Sequence, residues 1–291
     1  MWDVIILGTV NGAIYALVAA GLNLQYGVTR ILNLAHGQFM MLGAFISAFL
    51  FKYYNINPLV GMAISGPIMF ALGILIYFLV FRRMVRLSKS GEELEALSLL
   101  ACFGLLYVIL DMMQIVVKYY PKLAYPSTPY LKQIITILGV KIELSRIVAA
   151  FIAVTFSVLM YIVLRFTRTG LAMRATSQEP TGAQVVGINI FKVHMISFGL
   201  SIFMAAIGGS LLAMILPDIS PTSGPMYTFI ALAVIVVGGM GSFIGSLVGG
   251  FLIGNIYFIA GRLLSPQLSM PVVYAFIIIT LLVRPKGLFG R

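Results

Sequence analysis

The chain has 291 residues, of which 61% are hydrophobic and 9% charged, and a formal net charge of +11. Soluble domains average roughly 45–50% apolar and about 25% charged residues, so this chain lacks the polar skin of a soluble protein and most of it is solvated by lipid. A nucleic-acid partner is excluded, because no soluble basic domain exists to carry the positive charge.

Cys102 is the single cysteine, which excludes a disulfide scaffold. With His36 and His194 as the only histidines, there is poor material for a structural metal or for nucleophilic catalysis within a membrane, so no metal site, catalytic residue or enzyme is expected. No Gly-Lys dipeptide occurs, so the chain has no GxxxxGK[ST] phosphate-binding loop and does not bind ATP that way.

At about 20 residues per crossing, nine apolar runs are candidate spans: 4–22, 36–51, 58–81, 97–117, 144–166, 193–216, 226–237, 243–261 and 269–283. The expected fold is all-α, a polytopic transmembrane bundle of about 8–9 spans. The second, seventh and ninth runs are short and have Gly-rich flanks, so broken or re-entrant helices are expected there.

Basic residues orient the chain. Stretches 82–95, 165–194 and 284–291, together with Arg30, hold 12 of the 19 Lys and Arg residues, which puts these segments and the C-terminus on the cytoplasmic side. Lys89 and Arg291 are among them. Met1 then lies outside, and no cleavable signal peptide is expected because no basic n-region precedes the first apolar run.

Two loops have structure of their own. The outer loop, 118–143, carries Pro121, Pro126 and Pro129 and then β-branched runs at 134–137 and 140–142 around Leu138 and Gly139, a hairpin pattern. The inner loop, 165–192, has Thr176 and Glu179 at capping-box spacing, then Pro180 as a first-turn residue, a short apolar run from Ala183 to Val186, and Gly187 as a stop. This pattern predicts a brief helix lying on the inner face.

The stretch from Asn23 to Gln38 concentrates amides and imidazole between two apolar runs. One reading is a broken helix beside a solute path, with Asn33, His36 and Gln38 near a break at Gly37. The other is a hydrated loop at headgroup level. In the second half, Gly241, Gly245 and Gly249 are four apart, a ridge of small residues for close helix packing, and Gly238–Gly239 is a candidate break. Asp111 lies within an apolar run and is read as paired near the outer surface, the alternative being an ion-binding site. Asp218, beside two prolines, is read as an outer-loop residue.

Several motifs carry a resemblance: Asn11-Gly12-Ala13-Ile14-Tyr15-Ala16-Leu17, Leu32-Asn33-Leu34-Ala35-His36-Gly37, Gly170-Leu171-Ala172-Met173-Arg174-Ala175 with Gly187-Ile188-Asn189, Gly238-Gly239-Met240-Gly241-Ser242, and Arg284-Pro285-Lys286-Gly287-Leu288-Phe289-Gly290. In this order, over essentially the whole chain, they resemble the branched-chain amino-acid ABC importer permeases of LivH type. The resemblance implies one permease domain over 1–291 in a bacterial inner membrane and a second related permease subunit. It also implies two cytosolic ATPases carrying ATP and Mg²⁺, and a periplasmic substrate-binding protein. A coupling helix is implied between Arg174 and Gly187, including Thr176, Glu179, Pro180 and Ala183. The pathway would then have Tyr15, Asn33, His36 and Gln38 as its polar points. Residues 93–100 depart from the family pattern, which keeps urea, amides and aromatic acids open as substrates. An autonomous channel or ion-coupled carrier is the alternative from another class, and Asp111 is its best residue.

Overall fold

The structure is a computed structural model describing residues 2–88, 90–137, 139–217 and 219–290. The readings placed on Met1, Lys89, Leu138, Asp218 and Arg291 lie outside the described residues. In chain order the helices are α1 (Trp2–Thr29), α2 (His36–Tyr54), α3 (Pro58–Ile76), α4 (Arg82–Leu87), α5 (Gly91–Tyr119), α6 (Leu144–Phe166), α7 (Arg168–Gln178), α8 (Pro180–Val185), α9 (Ile190–Ile215), α10 (Gly224–Gly238), α11 (Phe243–Leu263) and α12 (Ser269–Val283).

Eight helical stretches among the described residues are long and apolar enough to cross a membrane. The 19-residue helix α2 is not one of them. Its first turn carries His36, Gly37 and Gln38, and the bundle buries what lipid would penalise. α1 and α9 form the centre, with 78% and 89% of their apolar windows buried, whereas α12 at the edge has 17%.

Glycines set the closest approaches. α1 and α11 pack antiparallel, with Gly12 facing Gly254 and Ala16 facing Gly250, so the two backbones touch. Helix starts are capped locally. Ser90, Thr167, Asn189 and Ser242 accept from the amides of Glu93, Gly170, Lys192 and Gly245 at 3.1 Å each. Each such cap contributes about 1 kcal/mol.

A five-residue π-helical turn, Tyr77–Phe81, joins α3 to α4 and widens the helix where Tyr77 and Phe81 pack on Phe198. Strands β1 (Ile134–Ile137) and β2 (Val140–Glu143) pair antiparallel, with Ile134 opposite Glu143. The segment before them folds over the bundle end. Lys52 Nζ donates to the Lys122 carbonyl at 2.9 Å, and the Thr128 amide donates to the Ala213 carbonyl at 2.7 Å.

The expected breaks fall beside helices, not within them. α2, α10 and α12 are each continuous; the irregular backbone lies at 30–35 and, among the described residues, at 216–217 and 219–220, and α12 is preceded only by a short 3₁₀ turn, Pro266–Leu268.

Candidate functional site at the helix junctions

α1 ends where Arg30 adopts a left-handed φ of 57°. The next five residues return into the bundle without regular structure, and α2 begins at His36, whose Nε2 lies 3.0 Å from the Val18 carbonyl oxygen. Val18 is eleven residues before the end of α1, so the start of α2 sits ~16 Å inside the bundle at 1.5 Å per residue. Irregular backbone at that depth is tolerated only where protein surrounds it. Here the Thr29 hydroxyl accepts from the Ile31 amide at 3.2 Å, and Asn33 Oδ1 accepts from the Ala35 amide at 3.0 Å.

A second irregular stretch mirrors the first from the opposite end. After Ile215 the chain turns back, and α10 begins at Gly224 against the start of α2. The Gly37 amide donates to the Thr228 hydroxyl at 2.9 Å, and that hydroxyl donates to the Leu34 carbonyl at 3.1 Å. Gly37 has no room for a side chain, since a Cβ would lie 2.6 Å from Thr228 Oγ1. Two helices therefore run in opposite directions from a shared interior point. Their positive N-terminal ends converge there.

Gln38 is buried at this junction, and neither of its amide atoms has a hydrogen-bond partner among the described residues. Beside the junction, Tyr15 and Tyr227 face each other with ring centroids 6.4 Å apart. They line a narrow cleft with Val18, Met40, Ile230 and Ala231.

Of the four residues expected as polar points of a path, Tyr15 lines this cleft, and Asn33, His36 and Gln38 are buried at the start of α2 and in the segment before it. The reading of His36 as a hydrated headgroup residue fails for the same reason. Tyr227 and Thr228 carry no sequence motif that would have singled them out.

At the end of the bundle where α1 stops, Asn23 holds the turn between α10 and α11. Its Nδ2 lies 2.8 Å from the Ser242 carbonyl and 2.6 Å from Ser246 Oγ, and its Oδ1 accepts from the Gly241 amide. Gly239 and Gly241 take φ values of 105° and 84°, which side chains rarely adopt. Gly238 and Gly245 pack backbone to backbone, and Gly249 sits against the Val234 carbonyl. The tail then returns. The amides of Leu288 and Phe289 donate to the carbonyls of Val237 and Gly238 at 2.9 and 3.0 Å, satisfying acceptors left open at the end of α10.

Between α6 and α9 lie α7 and α8, each too short to span. The capping reading of this region is corrected. Thr176 is buried within α7, and Glu179 caps α8 by accepting from the Thr181 amide at 3.2 Å. Pro180 opens α8, and Gly187 follows it at φ 84°. Arg174, Glu179 and Pro180 are exposed, but Ala183 is 4% exposed and faces inward. The outward apolar side chains are Val185 and Val186, at 83% and 75% exposure. Asp111 is exposed on α5 with no ion pair among the described residues, so its reading as a paired residue is corrected as well.

Buried polar junctions, unwound segments at depth and eight apolar spans define a multi-pass membrane permease. Residues 4–281 match the family described as branched-chain amino acid transport system / permease component, and the chain belongs to that family. It is similar to the probable branched-chain amino acid transport permease protein LivH of Methanocaldococcus jannaschii, at 27% identity over 94% of this chain and 88% of that protein. It is also similar to the high-affinity branched-chain amino acid transport system permease protein LivH of Escherichia coli K12, at 28% identity over 98% and 94% of the two chains. Among solved structures, PsaBC from Streptococcus pneumoniae in complex with Fab shares the fold at a TM-score of 0.51 and 11% identity, covering 98% of this chain and 93% of that one.

Proposed function

We propose that this permease forms half of the pathway of a binding-protein-dependent ABC importer for branched-chain or related amino acids. The observation that carries the reading is the α7–α8 pair. It sits between two spans and presents Val185 and Val186 outward from a helix that cannot cross. In this reading 1–291 is one permease domain, 118–143 faces outside and 165–192 faces the cytoplasm. The 12 of 19 basic residues on the α7–α8 side favour that side, and with it the C-terminus, being cytoplasmic in a bacterial inner membrane.

Two cytosolic ATPases would hold ATP and Mg²⁺ and receive α8 in a groove. Pro180, Gly187, Glu179 and Arg174 would position that lever, and Thr176 and Ala183 would root it in the bundle. A second, related permease subunit completes the pathway, and a periplasmic binding protein delivers the substrate. The cleft between Tyr15 and Tyr227 is otherwise apolar and closed as it stands, which suits a constriction of the path that opens for an apolar side chain. Asn33, His36 and Gln38, at the start of α2 and just before it, would be the remaining polar points of the path. An ion-coupled carrier is not favoured, since Asp111 lies on an exposed face and not inside the bundle.

The test is uptake into vesicles containing the complete assembly, with leucine, isoleucine and valine set against urea, amides and aromatic acids. ATP-dependent accumulation of the aliphatic amino acids is expected. Accumulation by this chain alone, or indifference to ATP, refutes the reading.

A further inference from the structure

At the α7–α8 end of the bundle, a crevice of about 650 Å³ opens between the ends of α1, α6, α7 and α11. Arg30, Arg165 and Arg174 line it, and the lining contains no Asp or Glu. Among the described residues no carboxylate pairs with these guanidinium groups. The nearby Glu95 carboxylate accepts from Tyr26 OH at 3.2 Å. Arg165 Nη1 donates to Tyr161 OH at 2.6 Å, Arg174 Nη2 donates to the Arg165 carbonyl at 3.3 Å, and Arg30 lies 5.8 Å from the Tyr26 ring centre. Each guanidinium has five N–H donors, so most of the donor capacity around the crevice is unspent.

The start of the 21-residue helix α11 also opens here, through Ser242, Phe243 and Ile244, which adds the positive end of a helix dipole. The other walls are apolar, with Leu24, Val28, Leu164 and Met173 among them. Arg165 is the next-to-last residue of an apolar span, beside the outward side chains Ile162 and Phe166, at 45% and 73% exposure. A basic, donor-rich floor with greasy walls at the boundary between hydrocarbon and water matches an amphipathic anion.

We infer that this crevice binds the phosphate group of an anionic membrane phospholipid, with Arg30, Arg165 and Arg174 as its donors and the acyl chains lying along α6 and α11. The inference does not depend on the substrate; it shares Arg174 with the coupling role proposed for α8, so the substitutions below are confined to Arg30 and Arg165.

The experiment is native mass spectrometry of the protein in its natural assembly, extracted into nanodiscs of phosphatidylglycerol and phosphatidylcholine. The unmodified protein should retain phosphatidylglycerol over phosphatidylcholine. Joint substitution Arg30→Gln and Arg165→Gln should weaken that retention on the order of thirtyfold, from about 1 kcal/mol per charge. Joint substitution Arg30→Lys and Arg165→Lys should keep most of it, and assembly size measured on the same samples excludes misfolding as the cause. Equal retention by the unmodified and Gln proteins overturns the site. Glycerol phosphate competing as well as the lipid, mole for mole, overturns the lipid as its source.

Discussion

Gly43 of α2 and Ala206 of α9 meet so closely that a Cβ on position 43 would lie 2.6 Å from the Ala206 methyl and 2.8 Å from its carbonyl oxygen. This contact fixes the buried helix that carries the junction. Gly43→Leu should lower the melting temperature and the folded yield, at a cost of about 1–3 kcal/mol or more. Gly43→Ala should also lower the melting temperature, and Ala206→Gly should give little rescue, because the closest atoms, the Ala206 Cα and carbonyl oxygen, belong to the backbone and remain. A Gly43→Ala protein as stable as the unmodified one would refute steric packing as the cause.

The shared start of α2 and α10 depends on one hydroxyl. Thr228→Val keeps the shape and leaves the Gly37 amide without its acceptor, which costs roughly 1–3 kcal/mol. Thermal unfolding of the detergent-solubilised protein should show the loss, and Thr228→Ser should restore most of it.

Asn23 faces four hydrogen-bonding groups on the α10–α11 turn and its flank. Asn23→Leu should destabilise by at least as much as the Thr228 change, and Asn23→Asp should not rescue it, because the carboxylate meets the carbonyls of Gly239 and Ser242. Protease sensitivity of the turn is the direct readout.

The tail closes the same end. Ending the chain after Arg284 removes the amides that satisfy Val237 and Gly238, so the truncated protein should insert but unfold at lower temperature. Unchanged stability would show that the tail merely lies on the surface.

Coupling is tested on the outward face of α8. Val185→Arg should reduce ATP-driven uptake at least tenfold while the protein remains in the membrane. Glu179→Lys should do so too, but it also removes the α8 cap. Ala183→Arg tests folding and not docking, because Ala183 faces inward.

Much of this molecule was legible from residue order. Lipid offers no hydrogen bonds, so spans declare themselves as long apolar runs, and all nine expected runs are helical. The α7–α8 region was legible as non-spanning for the same reason. The cap was misplaced because Thr176 and Glu179 fit a box by spacing, yet α7 continues through Thr176 until Pro180 starts a new helix.

Sequence by itself determined the solvent, the helices and the family, because each follows from composition or from local order along the chain. Only tertiary structure decided that Tyr15 faces Tyr227, that His36 opens α2 at the depth of Val18, and that Arg30, Arg165 and Arg174 share one crevice. The partners in those contacts are up to 212 positions apart in the numbering, as Tyr15 and Tyr227 are. Helix periodicity reports which residues share a face of one helix, and it is silent on which distant backbone will fill the space opposite.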